Sequence, residues 1–331
     1  ENVTINKNVT IDGADKKYTG TMTANAGLTV TVQNVKFVNG GFDKSTKSTT
    51  GTYTIKDCTF DGAGTYAYAF RFKGANKINV ENCTVKDYEY SFLYVTSGTN
   101  AVSVKNVTVE DCPSYAVYFS SGVTTATFEN LTVKNSNNGF VINNTANRAF
   151  TIKDCTMENV TTAINYSGGT NTITCTALGV NDFGTAALSE YAKLIGATIT
   201  GTTYYGSVKG MVEKAETDQT VQLLSNITLD ATGYEMASCD GYPSFVHVEG
   251  KAITVDLNGK TIEANVAADD VSGFVIGVFS TDNGGELTLV DNSDGGTGTV
   301  NLEAAQGKAY SLLCNYEDGC KMTINGGTYK A

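Results

Sequence analysis

Asp87 and Asp111 lie 24 residues apart at the same position of a repeated phrase, with Gly62 one repeat below and Asn135 and Asn159 above. Two carboxylates brought to one edge are the beginning of a calcium site, because calcium gathers oxygen ligands from several side chains. Around them stand Tyr66, Tyr88, Glu89, Tyr90 and Tyr115. Rings flanked by carboxylates combine a stacking face with acceptors for sugar hydroxyls, so this corner is the candidate carbohydrate-binding patch. A solvated turn would explain the two aspartates without any metal, and packing under a long connection would explain the tyrosines without any sugar.

Chemistry beyond binding finds little support. Only two arginines occur, Arg71 and Arg148, and the repeat places them on different faces. Gly-x-Ser-x-Gly, a Cys/His pair and a phosphate-cradling loop are absent, so no catalytic residue is assigned. The formal charge of −11, with 23 Lys+Arg against 34 Asp+Glu, leaves no basic track for a phosphate backbone and excludes nucleic acid as the expected partner. No apolar run approaches a membrane span. Cys-x-x-Cys is absent and the lone His247 sits in the apolar run Phe245–Val248, which argues against zinc. Calcium is the candidate metal, and no other cofactor is expected. Cys58, Cys83, Cys155 and Cys175 read as buried thiols, whereas Cys314 and Cys320, in a loop, are the best disulfide candidates.

The elements that position these residues follow from one period. Gln33-Asn34-Val35-Lys36-Phe37 recurs as Lys56-Asp57-Cys58-Thr59-Phe60, Glu81-Asn82-Cys83-Thr84-Val85, Lys105-Asn106-Val107-Thr108-Val109, Glu129-Asn130-Leu131-Thr132-Val133 and Lys153-Asp154-Cys155-Thr156-Met157, at spacings of 23, 25, 24, 24 and 24 residues. Self-similarity of this length marks a repeat protein whose units bury their apolar sides by stacking. Apolar residues alternate on either side of the Asn/Asp, which predicts two strands meeting at a left-handed bend. A third apolar run, such as Phe92–Val95 or Val117–Phe119, leads to turns at Gly74, Gly98, Gly122 and Gly169.

Stacked parallel strands convert alignment columns into ladders. One inward column is expected to read Val35, Cys58, Cys83, Val107, Leu131, Cys155, and another Phe70, Tyr94, Tyr118, Ile142, Tyr166. Two outward columns, Lys56, Glu81, Lys105, Glu129, Lys153 and Asp61, Lys86, Glu110, Lys134, Glu158, alternate in sign, so a slip by one repeat would align like charges. They are expected to control register rather than react.

This pattern, clearest over residues 28 to about 182, resembles the right-handed parallel β-helix proteins of the pectate-lyase-like superfamily, which stack Asn at the same bend. The resemblance implies an all-β, single-stranded parallel β-helix with three strands per coil. It also implies the rival function, a polysaccharide lyase or glycoside hydrolase acting on acidic polysaccharides, although the motifs such enzymes need do not stand out.

The period fails after Asp182. Thr185–Gly196 suggests a short helix or irregular connection stopping at Gly196, Val208–Ala215 a second short helix, and 220–229 a strand. The expected domains are residues 1–200, with coils of about 24 residues, and 201–331, a second module whose rungs at Ile253, Leu287 and Met322 are about 34 residues apart. Asp256-Leu-Asn-Gly-Lys-Thr-Ile262 and Ile324-Asn-Gly-Gly-Thr-Tyr329 are similar to phrases in modular surface proteins of gut bacteria. With Glu1 following no leader and the pattern stopping at Tyr329, the expectation is a trimmed, exported, C-terminally truncated segment. It would act at the bacterial cell surface as a non-catalytic adhesin-like spacer with a carbohydrate or host-surface ligand. Open terminal coils suit end-to-end self-association.

Overall fold

A computed structural model of the chain describes residues 1–44, 50–74, 76–98, 100–120, 123–143, 149–166, 174–189, 194–230, 237–239, 242–266, 277–304 and 311–331. Gly122, Arg148 and Gly169 fall outside these. The chain is all-β with parallel sheets and one short helix among the described residues. It divides into two compact units, Glu1–Thr176 with Asp182–Lys193, and Ala177–Asn181 with Leu194–Ala331.

In the first unit each repeat pairs in parallel with the next. Glu81, Lys105 and Glu129 are successive partners, as are Cys83, Val107 and Leu131. The bend residues Asn34, Asp57, Asn82, Asn106, Asn130 and Asp154 all adopt φ between 51° and 53°. Asn tolerates this left-handed region because its short amide bonds locally, and here the amides also bond one another. Asn82 Nδ2 donates to Asp57 Oδ1 at 3.0 Å, Asn106 to Asn82 at 2.9 Å and Asn130 to Asn106 at 3.0 Å. Asn39, Asp87, Asp111, Asn135 and Asn159 form a second left-handed column, and in the coil between Asn39 and Asp87 the left-handed residue is Ala63, one past the aligned Gly62. The turn glycines Gly74 and Gly98 also have positive φ, 85° and 75°.

Inside, Val32, Ile55, Val80, Val104, Phe128 and Ile152 form one column at 0–1% exposure, and Phe37 stacks on Phe60 at 4.4 Å with 8° between ring planes. The predicted aromatic column needs correction. Phe70 pairs with Leu93, Val117 with Leu93 and Phe140, and Phe140 with Ile164; Tyr94 instead follows Arg71 and precedes Tyr118 on the opposite face. Phe70 lies 13 residues after its bend, Leu93 and Val117 11, and Phe140 and Ile164 10. The corner between bend and third run thus varies in length, and an odd change reverses the face of every later side chain. Ile142 and Tyr166 do point inward, in register with Val95 and Phe119.

The charge ladders pair as aligned, with Lys105 Nζ 3.2 Å from Glu129, Lys86 Nζ 3.1 Å from Asp61 and Lys134 Nζ 2.9 Å from Glu158. Solvent screens these pairs, so each adds little stability, and their effect is on register.

The second unit holds three parallel stacks at a longer period. Val221, Val255, Leu289 and Ile324 are successive partners in one. Gly196 does not stop a helix; it opens the strand Gly196–Ile199, which forms a two-residue hairpin with Thr202–Gly206 through Thr200 and Gly201 at positive φ. Ala187–Leu188 is a short strand paired with Thr162 and Ile164 in the first unit, and residues 190–193 lie outside the description. The predicted strand over 220–229 is two, Gln219–Leu223 and Ile227–Asp230. The helix Val208–Lys214 forms as expected. Ser207 caps its start, and Lys251 Nζ donates to the Val212, Glu213 and Ala215 carbonyls at 2.7–2.9 Å at its end. Cys314 and Cys320 are not joined by a disulfide.

Two corner carboxylates organise this unit. Asp256, 1% exposed, accepts from Gln222, Asn258 and Asn292, and Asp291 accepts from the Gly259, Ser293 and Gly298 backbone and the Ser293 hydroxyl. Burial alone would raise both pKa values, but these hydrogen bonds outweigh it and hold both below the ordinary 3.8. Groups with depressed folded pKa values stabilise fully above the unfolded value and lose that contribution as pH falls through the folded one. Differential scanning calorimetry from pH 7 to about 2 should therefore show the second unit losing stability below about pH 4, with Asp256→Asn flattening the acid limb. An unchanged limb in that variant would remove Asp256 from the account.

Candidate functional site

A cleft of about 250 Å³ lies in the first unit. Thr21, Gly41, Phe42 and Asp43 form one part of its wall, and Thr65, Tyr66, Ala67, Tyr68 and Arg71 the other. Asp43 and Arg71 are direct partners on neighbouring strands, each following an inward phenylalanine, Phe42 and Phe70. Alternation turns both outward, where the Arg71 guanidinium bonds the Asp43 carboxylate. A Cβ on Gly41 would lie 2.5 Å from the Ala69 carbonyl, so glycine permits the close approach that shapes this wall.

Asp43 is 14% exposed at its side chain and Arg71 37%. The hydrogen bond that Arg71 donates to Asp43 raises the Arg71 pKa above its already high value, keeping the guanidinium charged. The second Asp43 oxygen, Oδ1, is shielded from solvent and has no hydrogen-bond donor among the described residues. The Tyr66 hydroxyl meets that of Thr21, and the Thr65 hydroxyl reaches Asn39 Oδ1 at 3.4 Å. The cleft therefore offers hydroxyls, two ring walls and one internally neutralised ion pair.

The proposed tyrosine patch divides. Tyr66 lines the cleft. Tyr88 is fully buried, its hydroxyl donating to the Gly40 carbonyl at 2.6 Å, so it is a core residue and not a ligand contact. Tyr90 is 40% exposed beside Glu89, whose charge raises the phenol pKa. Tyr115 is half-buried, and burial pushes its phenol up. Tyr90, Tyr68, Tyr94, Tyr118 and Tyr115 form a continuous series with centroids 4.7–5.8 Å apart, Tyr94 and Tyr118 only 11° from parallel. Rings stacked on each other use their own faces, so most of this series turns edges and hydroxyls outward, while Tyr68 continues it into the cleft.

Asp87 and Asp111 sit in the second left-handed column. Asp87 Oδ2 is 3.4 Å from Lys86 Nζ, and Asp111 Oδ1 accepts from Asn135 Nδ2 at 2.9 Å. Calcium takes six to eight oxygen ligands. Among the described residues, no three of His, Cys, Asp and Glu group as metal ligands.

Other reactive groups are committed elsewhere. His247 Nδ1 lies 2.9 Å from the Ser280 hydroxyl, which donates to Ser244 at 2.9 Å, and Ser244 donates to backbone carbonyls. With its single proton directed at Ser244, Ser280 accepts from His247, the reverse of an activated serine. Burial pushes Cys112 and Cys175 up to about 12 and Cys155 up to about 11, so these thiols stay protonated near neutrality.

Arg71 and Asp43 are the residues that sequence reasoning missed. The available signal was the equivalence of Phe42-Asp43 and Phe70-Arg71, charges of opposite sign one repeat apart, each directly following a phenylalanine.

No helix among the described residues is long and apolar enough to cross a membrane. No protein-family model matches the chain, and no curated protein matches it. Solved structures similar to it include a PL6 family alginate lyase, AlyGC, at 10% identity and a TM-score of 0.17, over 99% of this chain and 73% of that one. A score that low transfers neither residues nor activity.

Proposed function

We propose that this chain is a non-catalytic, exported bacterial surface protein that binds glycan in the Tyr66/Tyr68/Arg71 cleft. We further propose that the parallel stacks form right-handed β-helices with three strands per coil, the hand that parallel crossover connections adopt in about 98% of cases. The observation carrying the functional reading is the cleft itself, where hydroxyls and an Arg–Asp pair converge between tyrosine rings on an otherwise charge-cancelled stack. Its volume lies below the roughly 300–1,000 Å³ of drug-sized sites, which suits one sugar unit of a longer chain. Stiffness comes from the stack, and recognition from its corners.

A glycan array read with the intact chain should give signal that Tyr68→Ala reduces by about tenfold or more, through loss of a ring lining the cleft and of its hydroxyl. A silent array, or one indifferent to Tyr68→Ala, would remove the proposal. Pectins, uronic-acid polymers and mucin glycans incubated with calcium should yield neither new reducing ends nor unsaturated products. Turnover abolished by Asp87→Ala would establish the lyase or hydrolase instead.

A further inference from the structure

We infer that the cleft selects uncharged, hydroxyl-rich sugars over uronates, and that Asp43 sets this selectivity by occupying the guanidinium of Arg71. The inference rests on the glycan-binding reading and adds the class of sugar to it.

An arginine in a sugar site ordinarily suits a ligand carboxylate, because its planar fork matches two carboxylate oxygens. Here a protein carboxylate already meets that fork. Asp43 is the in-register neighbour of Arg71, so backbone pairing maintains the contact as well as charge. A uronate approaching Arg71 would compete with Asp43 for the same donors and bring a second negative charge into partly desolvated space, where Coulomb repulsion is stronger than in water. Among the described residues, no lysine lines the cleft to offset it.

A sugar hydroxyl fares differently. Guanidinium carries five N–H donors and Asp43 does not consume them all. Hydroxyls both donate and accept, which fits the remaining guanidinium donors and the Thr65 and Tyr68 hydroxyls. The paired charges thus act as an oriented, neutral set of donors.

Isothermal titration calorimetry of the full chain tests this with two length-matched probe sets. The neutral set is cello-, manno- and xylo-oligosaccharides, and the anionic set is oligogalacturonate and alginate oligosaccharides. The wild-type chain should bind at least one neutral series and prefer it over both anionic series by about tenfold or more. Its neutral affinity should stay flat from about 0.01 M to about 1 M salt, over which the Debye length falls from about 30 Å to about 3 Å. Asp43→Asn should raise affinity for the anionic probes by about tenfold and make it fall with salt. Adding Arg71→Gln should abolish that gain.

Equal or tighter wild-type binding of uronates would overturn the selectivity while leaving glycan binding intact. Failure of every probe to bind would overturn both. Should Asp43→Asn fail to fold by circular dichroism, the wild-type preference and salt profile decide alone: a preference below about threefold, or neutral binding that weakens with salt, rejects the inference.

Discussion

Phe128→Ala is expected to destabilise the first unit by about 3–5 kcal/mol, the range for emptying a fully buried aromatic position. Phe128 is 0% exposed and sits between Val104 and Ile152 in its column. Its ring meets Phe140 at 4.8 Å, Phe150 at 5.4 Å and Phe119 at 6.1 Å, so one truncation removes contacts to three neighbouring runs. In a stack, adjacent rungs have no other core to lean on, and relaxation into the cavity would shift strand registers. The thermal midpoint should fall by on the order of 10 °C. Phe128→Leu should recover most of the loss. Equal effects from the two variants would mean that ring packing at this site contributes little beyond bulk.

The second large effect concerns the bend. Asn106→Val should cost about 2–4 kcal/mol, because a β-branched side chain at φ 53° lacks the local amide bonding that lets asparagine escape a left-handed cost of about 1–2 kcal/mol, and because it removes two ladder hydrogen bonds of about 0.5–1.5 kcal/mol each. Asn106→Gly keeps the backbone conformation and loses only the ladder, so it should cost about 1 kcal/mol. Urea titrations followed by far-UV circular dichroism separate them. If valine and glycine are tolerated alike, left-handed strain is not what places asparagine at this bend.

These two sites also show how far sequence reasoning reached. The bend was legible because six Asn or Asp residues interrupt a period-two pattern at nearly constant spacing, and few residue types accept φ near +50°. The charge ladders were legible because register makes aligned residues vertical neighbours, and Lys105 does meet Glu129. The third run was not legible in the same way. Its distance from the bend varies from 13 residues to 10, and Tyr94 and Tyr118 changed face with that parity. Tyr88, whose sequence neighbours are charged, went into the core because it directly follows left-handed Asp87, as buried Cys112, Ser136 and Val160 follow Asp111, Asn135 and Asn159.

The chain alone determined which residues stack above which, where the backbone turns left-handed and which charges cancel, because these depend on local propensity and on a period repeated six times. Folding in three dimensions decided which tyrosines reach solvent, and it set Asp43 on Arg71 beside Tyr66 and Tyr68. Those outcomes depend on corner lengths and close strand approaches, whose effects accumulate along the chain and change the face of a side chain with each added residue.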